Sequence, residues 1–323
     1  MATAIRLRVP GGADQLESVT IELPPPQPDE IRIRQTAIGV NFIDIYQRSG
    51  LYPLPPPAIP GVEAVGVVTA VGANVVSPRV GDRVAYAGAP VGAYVSERNL
   101  PAWRAINLPD SVSDASVAAV FVKGITAYML LQRVHVVGPG TVVLIHSAAG
   151  GLGQLLTRWA RHLGATVIAT VGSDIKAETA RHAGAQHVIV GRDADFARAV
   201  SDLTGARGVD VAYDGVGGDT LAKTLQCVRP FGVVASIGQS AGAIPPIDVE
   251  DLGPRRSLML ARPSVMAYMN GRDDYRIAAD AVLAAVQQRI LRPEGKPYRL
   301  GDVAQAHADL EGGWSTGSLY LAP

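Results

Sequence analysis

The chain has 323 residues, 48% of them hydrophobic and 18% charged, which suits about two folded domains and excludes a disordered chain. Lys+Arg and Asp+Glu both number 29, so the basic excess on which nucleic-acid affinity rests is missing. Cys227 has no second cysteine to pair with, no apolar run reaches the roughly 20 residues of a membrane span, and the start Met1-Ala2-Thr3-Ala4-Ile5-Arg6 lacks an export signal's basic-then-apolar pattern. These features predict a cytoplasmic protein of small-molecule chemistry, without membrane or nucleic acid as a partner.

The first hundred residues are dense in Pro and Gly and predict short strands at residues 4–9, 19–23, 30–40, 65–71, 83–87 and 93–97. Glu30-Ile31-Arg32-Ile33-Arg34 alternates polar and apolar, as a strand with one wet face does, while the triple prolines at 24–26 and 55–57 must be connectors. The expected product is a partly open antiparallel β-barrel. After about residue 121 strand and helix alternate. Strands are expected at 142–147, 166–171, 187–190, 209–214, 233–237 and 257–260, and helices at 152–163, 175–183, 196–203 and 220–228. Val142-Val143-Leu144-Ile145 is apolar throughout, which implies burial on both faces of a doubly wound parallel sheet, an α/β Rossmann arrangement. A helix at 276–288 and a strand at 318–321 do not extend that sheet, so the tail is expected to return to the N-terminal domain.

Between the first strand and first helix of the alternating region lies Ala148-Ala149-Gly150-Gly151-Leu152-Gly153. It fits the dinucleotide fingerprint with Ala148 in the first glycine's place. Gly150 allows close backbone approach to a pyrophosphate, Gly153 allows close helix–strand packing, and the helix N-terminus faces the phosphates. At the end of the second strand stands Val171-Gly172-Ser173-Asp174-Ile175-Lys176, where an NAD site carries an acid for the ribose 2′-hydroxyl. Ser173 and Lys176 suit a 2′-phosphate and favour NADPH. Asp174 keeps the other choice open unless it caps the following helix. Zinc needs three or four converging ligands. One cysteine and six scattered histidines supply no zinc-like pair, and His135, His146, His162, His182, His187 and His307 read as packing or surface residues.

Asn41-Phe42-Ile43-Asp44-Ile45-Tyr46-Gln47-Arg48-Ser49-Gly50-Leu51-Tyr52 resembles the substrate-site segment of the zinc-independent, zeta-crystallin-like quinone oxidoreductases of the medium-chain dehydrogenase/reductase superfamily. The match continues in Gly61-Val62-Glu63, Gly81-Asp82-Arg83-Val84, Lys123-Gly124-Ile125-Thr126-Ala127, Ser147–Gly153, Tyr213-Asp214-Gly215-Val216-Gly217, Ser236–Gly242 and Arg262-Pro263-Ser264, in order along the chain. Zinc-dependent relatives carry His where this chain has Val62 and Cys near Asn41.

The resemblance implies a GroES-like catalytic domain from residues 1–122 and 263–323 and a Rossmann domain from 123–262. It also implies NADPH in the cleft between them, and a homodimer. Asn41, Asp44, Tyr46 and Tyr52 would serve the substrate end, with Lys123 and Thr126 at the nicotinamide ribose. Ala149, Gly150, Gly151, Leu152 and Gly153 would hold the pyrophosphate. Gly172, Ser173, Lys176 and Arg192 would meet the adenosine end, and Ser240 and Arg262 would line the cofactor's path. Thr126 also reads as a helix cap. Two departures stand out: Gly191-Arg192 replaces the family's Tyr, and Gly312–Ser318 lacks its C-terminal cations. The activity implied is NADPH-dependent reduction of a quinone. The alternatives are reduction of conjugated C=C bonds in alkenals, alkenones or enoyl thioesters, an RNA-binding or structural role, and a cofactor sensor without turnover.

Overall fold

The computed structural model describes residues 1–254 and 256–323. The chain divides into two compact units, Met1–Ile125 with Met266–Pro323, and Thr126–Val265. The first unit begins with β1 (Ala2–Leu7) paired to β2 (Leu16–Ile21). Then come β3 (Glu30–Val40), the short helix α1 (Phe42–Arg48), β4 (Glu63–Val71), β5 (Arg83–Ala87), β6 (Glu97–Pro101) and β7 (Ile106–Asn107). Helix α2 (Asp114–Met129) carries the chain from the first unit into the second.

Residues 93–97, expected as a strand, do something else. Tyr94 donates its N–H to the Pro60 carbonyl and accepts from Ile5 N–H, so this stretch is held by two separate segments, and the ladder on β3 belongs to Glu97–Pro101. Thr126, expected to open a helix, lies inside α2. The helical run Asp114–Val134 is 21 residues long and the mean hydropathy of its most apolar window is 1.4, so by length and composition it could cross a membrane, although Lys123 interrupts its apolar run. Of its most apolar window 67% is buried inside the protein, as in the core helix of a folded unit.

The second unit contains β8 (Val142–Ile145), α3 (Gly151–His162), β9 (Thr166–Val171), α4 (Asp174–Ala183), β10 (His187–Val190), α5 (Phe196–Leu203), β11 (Val209–Asp214), α6 (Thr220–Leu225), β12 (Val228–Ser236) and β13 (Met259–Ala261). Its six strands are parallel in the order β10-β9-β8-β11-β12-β13, so the winding reverses between β8 and β11. Ligands of such sheets sit outside the strand ends at that switch point. The C-terminal side of α3 ends at Gly164, whose φ of +90° an L side chain resists.

After α7 (Val265–Tyr268) and α8 (Arg272–Gln287) the chain adds β14 (Gly295–Arg299), α9 (Val303–Glu311) and β15 (Ser318–Ala322). The tail does return to the first unit: β15 pairs antiparallel with β3 and parallel with β14, completing a seven-stranded open sheet. Leu300, Val303, Ala306, Leu319 and Leu321 pack into one core with Ile31, Ile33, Ile38 and Tyr94. Both ends of the chain are therefore needed to bury this sheet.

Candidate functional site

In the second unit the glycine turn stands at the end of β8, at the switch point. A Cβ at Gly153 would overlap the Ser147 carbonyl oxygen and lie 2.7 Å from Ala148 Cα, so only glycine lets α3 approach the turn this closely. At Gly150 the nearest obstacle is the same oxygen at 3.3 Å, which leaves the outer face of the turn clear for a ligand. Ser147 holds φ at +52°, a left-handed conformation uncommon outside glycine. The α3 N-terminus, Gly151-Leu152-Gly153, follows Gly150 as cap, and Ala149 is buried behind it. No side chain caps this helix. Its first N–H groups are the anion-binding kind. The residues present thus fit a dinucleotide pyrophosphate.

At the neighbouring strand ends, Gly172 and Ser173 follow β9, and Arg192 follows β10. Arg192 lies along Gly172, where a Cβ would be 3.5 Å from its Cγ and 3.6 Å from its Nε. The helix cap is Ser173, not Asp174, which is the first residue of α4. The acid is satisfied at a helix N-terminus by position alone. Lys176 sits one turn further on and is half-buried. Beyond β12, Ser240 donates to the Gly215 carbonyl at 3.2 Å, and Arg262 donates to Ser236 Oγ at 2.7 Å and to Gln239 Oε1 at 3.4 Å. These bonds tie together the loops after β11, β12 and β13.

His146, at the β8 end, is buried between the hydroxyls of Thr170 at 2.8 Å and Thr224 at 2.9 Å. Thr224 in turn donates to Asp214, whose other oxygen accepts from the N–H groups of Val216 and Gly217. Burial holds the His146 imidazole below its usual range. A packing role for His146 is therefore also a loop-ordering one.

The first unit contains the other cluster. Asn41 caps α1, and Asp44 three residues on accepts from the Asn41 backbone N–H at 2.8 Å. Asn41 Nδ2 spends one N–H on Glu63 Oε1 at 2.8 Å, and Glu63 Oε2 accepts from Val122 N–H at 2.8 Å. Lys123 Nζ donates to the Val40 carbonyl at 3.1 Å. Tyr46 and Tyr52 stand edge to face with ring centres 5.2 Å apart, and the Tyr52 N–H bonds the Tyr46 carbonyl at 2.9 Å. Thr126 follows Lys123 by three residues on α2, hence on one helix face.

Asp44 is completely buried, so its carboxyl acts through Asn41 and Tyr94 rather than by touching a ligand. Burial pushes it up to about 7, against the lowering by its bonds to Asn41 and Tyr94. Burial also raises Glu63 and lowers Lys123, although each partly offsets the other's shift. From the sequence Glu63 is named only within a motif, His307 is read as a packing or surface residue, and Tyr94 is not singled out. Nothing in a local pattern distinguishes them, because the three come from β4, a connecting loop and α9.

Val62 and Asn41 are the positions at which the resemblance sets this chain apart from zinc-dependent relatives, and both are buried. Among the described residues no three of His, Cys, Asp and Glu converge as a metal site would require. The donor set among the described residues does not fit zinc.

A parallel sheet with a glycine turn at its switch point, joined to a GroES-like sheet with a buried polar cluster, defines a medium-chain dehydrogenase/reductase. Residues 27–110 match the alcohol dehydrogenase GroES-like domain, and residues 151–284 match the zinc-binding dehydrogenase domain. Over the whole chain it is 43% identical to a 2-haloacrylate reductase of Burkholderia sp, covering 99% of that protein. It is 39% identical to quinone oxidoreductase 1 of Escherichia coli (strain K12), with both chains covered in full. The crystal structure of Escherichia coli quinone oxidoreductase complexed with NADPH superposes with a TM-score of 0.96 at 38% identity, over 99% of this chain and 100% of that one. The chain belongs to the quinone oxidoreductase family of this superfamily.

Proposed function

We propose that the protein is an NADPH-dependent quinone oxidoreductase that works without a metal. The observation that carries this reading is the glycine turn at the switch point of a chain matched end to end by quinone oxidoreductases. NADPH supplies the hydride, and the residues bind and orient. The turn Ala149–Gly153 holds the pyrophosphate. Gly172, Ser173, Lys176 and Arg192 meet the 2′-phosphate. Lys123 and Thr126 serve the nicotinamide ribose, while Ser240 and Arg262 brace the loops along the cofactor.

Asn41 retains a second amide N–H after its bond to Glu63, and with the Tyr46 hydroxyl it donates to the substrate oxygen that gains charge. One such preorganised donor contributes roughly 3–4 kcal/mol in other enzymes. Tyr52 packs Tyr46 in place. In this assignment residues 1–122 and 263–323 form the substrate domain and 123–262 the cofactor domain. We place the protein in the cytoplasm as a homodimer joined at β13, an edge strand whose Met259 is 51% exposed. A monomer mass by light scattering at micromolar concentration would rule that dimer out.

A second reading, reduction of a conjugated C=C bond, is favoured by the likeness to 2-haloacrylate reductase. The test is NADPH oxidation by purified, chelator-treated protein with a panel of quinones, alkenals, alkenones, enoyl thioesters and 2-haloacrylates. Turnover of quinones at the highest kcat/KM is expected. Preference for a C=C acceptor supports the second reading, and loss of activity on chelation overturns the metal-free claim.

A further inference from the structure

Behind Asn41 a chain of hydrogen bonds runs away from the site and ends in the core. Asp44 Oδ2 is 2.9 Å from the Tyr94 hydroxyl, which is 2.9 Å from His307 Nε2. All three residues are 0% exposed. The chain has an unpartnered polar atom at each end: Asp44 Oδ1 and His307 Nδ1 bond nothing. A tyrosine hydroxyl has one proton, so it donates either to Asp44 or to His307. Two complete proton arrangements follow. With Asp44 ionised, Tyr94 donates to Asp44, His307 donates from Nε2, and Nδ1 is bare. With Asp44 neutral, its proton lies on the bond to Tyr94, Tyr94 donates to His307 Nε2, and the imidazole proton is on Nδ1.

We propose that His307, Tyr94 and Asp44 form a buried proton relay that switches the charge of Asp44, and so the tether on Asn41, while His307 changes tautomer and stays neutral. A proton of solvent origin enters at His307 Nδ1. The Nε2 proton passes to the Tyr94 oxygen, and the Tyr94 proton passes to Asp44 Oδ2. The three groups gain one proton in total and no bond between heavy atoms changes.

The surroundings favour such a switch. The groups acting on Asp44 are the Asn41 N–H, Tyr94, Glu63 on β4 and Lys123 on α2, while Arg48, on the same helix as Asp44, acts on Tyr94 and on His307 of α9 and is itself paired to Glu311 of α9 at 2.7 Å. Arg48 is thus committed to Glu311, and two buried carboxyls share the single ammonium of Lys123. A proton on Asp44 removes the excess negative charge, which burial makes costly. Burial also opposes an imidazolium at His307, with Arg48 adding to the effect. The proton therefore moves on to the carboxyl. Asp44 and His307 are positioning residues in this scheme; Asn41, which Asp44 tethers, is the ligand-facing one.

The experiment is histidine ¹⁵N NMR on the full-length protein across neutral pH, with His307 assigned by loss of its signals in His307→Gln. Asp44 protonation is followed by the carboxylic C=O infrared band missing in Asp44→Asn. The expected result is a neutral His307 on both sides of the Asp44 transition, protonated at Nε2 above it and at Nδ1 below. One tautomer throughout, an imidazolium, or an Asp44 that does not titrate overturns the relay. Tyr94→Phe removes the hydroxyl but keeps the ring, and should leave Asp44 titrating while fixing the His307 tautomer. Its proton affinity should rise about tenfold or more, for loss of a hydrogen bond to a charged group. A tautomer that still switches in this variant also overturns the relay.

The consequence for turnover, an upward shift of the pH transition in kcat/KM for 1,4-benzoquinone in Tyr94→Phe, rests on the proposed function. The spectroscopic arms do not, so failure of either claim is seen separately.

Discussion

Replacing Gly153 and Gly150 by alanine, one at a time, separates what the turn does for the fold from what it does for the cofactor. At Gly153 the added carbon would meet backbone on two sides, the Ser147 carbonyl and Ala148 Cα at 2.7 Å, neither of which can rotate away. Helix α3 must move off the turn. Overpacking of this kind costs roughly 1–3 kcal/mol, and the gain from alanine's helix propensity returns about 1 kcal/mol. A net loss of up to about 2 kcal/mol in stability is expected. The displaced N–H groups also lose the pyrophosphate, at roughly 1.5–3 kcal/mol for a bond to a charged group, or about tenfold or more in affinity.

At Gly150 the φ of −75° suits any residue, and the one neighbour at 3.3 Å needs to give only slightly. Gly150→Ala should therefore unfold like the wild type yet bind NADPH about tenfold or more weakly, because its methyl occupies the ligand's side of the turn. Thermal unfolding without cofactor and NADPH titration by fluorescence measure the two effects. Unchanged Tm and Kd in Gly153→Ala, or a Gly150→Ala less stable than Gly153→Ala, would refute the reasoning.

Two further outcomes follow from the charges. Burial pushes the Asp44 carboxyl up to about 7 from the ordinary aspartate value of 3.8, so the folded state holds its proton longer and stability from this group is lost as pH rises through that window. His307 works the other way: held neutral down to about 3 against 6.5, it makes stability rise with pH. The two slopes cancel between 3.8 and 6.5 in the wild type. Asp44→Asn should therefore gain stability relative to wild type as pH rises in urea unfolding, by about 1.4 kcal/mol per unit at most, and a relative loss would contradict the shift. At the adenosine end, Arg192→Ala should lower catalytic efficiency with NADPH by about ten- to a hundredfold and leave NADH unaffected. Equal losses with both cofactors would mean that Arg192 does not read the 2′-phosphate.

The second unit was largely legible because its signals are local. Buried parallel strands are apolar throughout, α3 repeats Leu152, Leu155, Leu156 and Trp159 on one face, and Gly153 marks a close approach that only backbone geometry requires. Boundaries failed where polar residues open an element. Helix α8 starts at Arg272 rather than 276, since Asp273 and Asp274 read as loop but suit a helix N-terminus. Helix α6 stops at Leu225, and β12 begins at Val228, which had been expected to close the helix. In the first unit β14 and α9 were not expected at all. Gly295-Lys296-Pro297-Tyr298-Arg299 has no apolar alternation, and it becomes a strand only because β15 is there to pair with it.

The candidate site divides in the same way. Asn41, Asp44, Tyr46 and Tyr52 lie within one short segment and could be read together, but what gives that segment its chemistry comes from elsewhere in the chain. Glu63 presses on Gly39, where a Cβ would lie 2.7 Å from its Cγ, and from there fixes the Asn41 amide. In zinc-dependent relatives the residues near Asn41 and Val62 hold a metal. Here the amide near the first position is bonded to a buried carboxylate, and the second is a buried valine with no donor to offer. In the proposed function a neutral N–H donor, the Asn41 amide, thus takes the place that the resemblance gives to a cation in zinc-dependent relatives. It stabilises less negative charge than a metal does, which suits an acceptor such as a quinone whose reduced oxygen is already delocalised over its ring. A simple unconjugated ketone forms a localised alkoxide and asks for more than this donor supplies. With Asn41 in the proposed role, the site favours acceptors that carry their own charge sink, and a conjugated enone meets that condition as well as a quinone does.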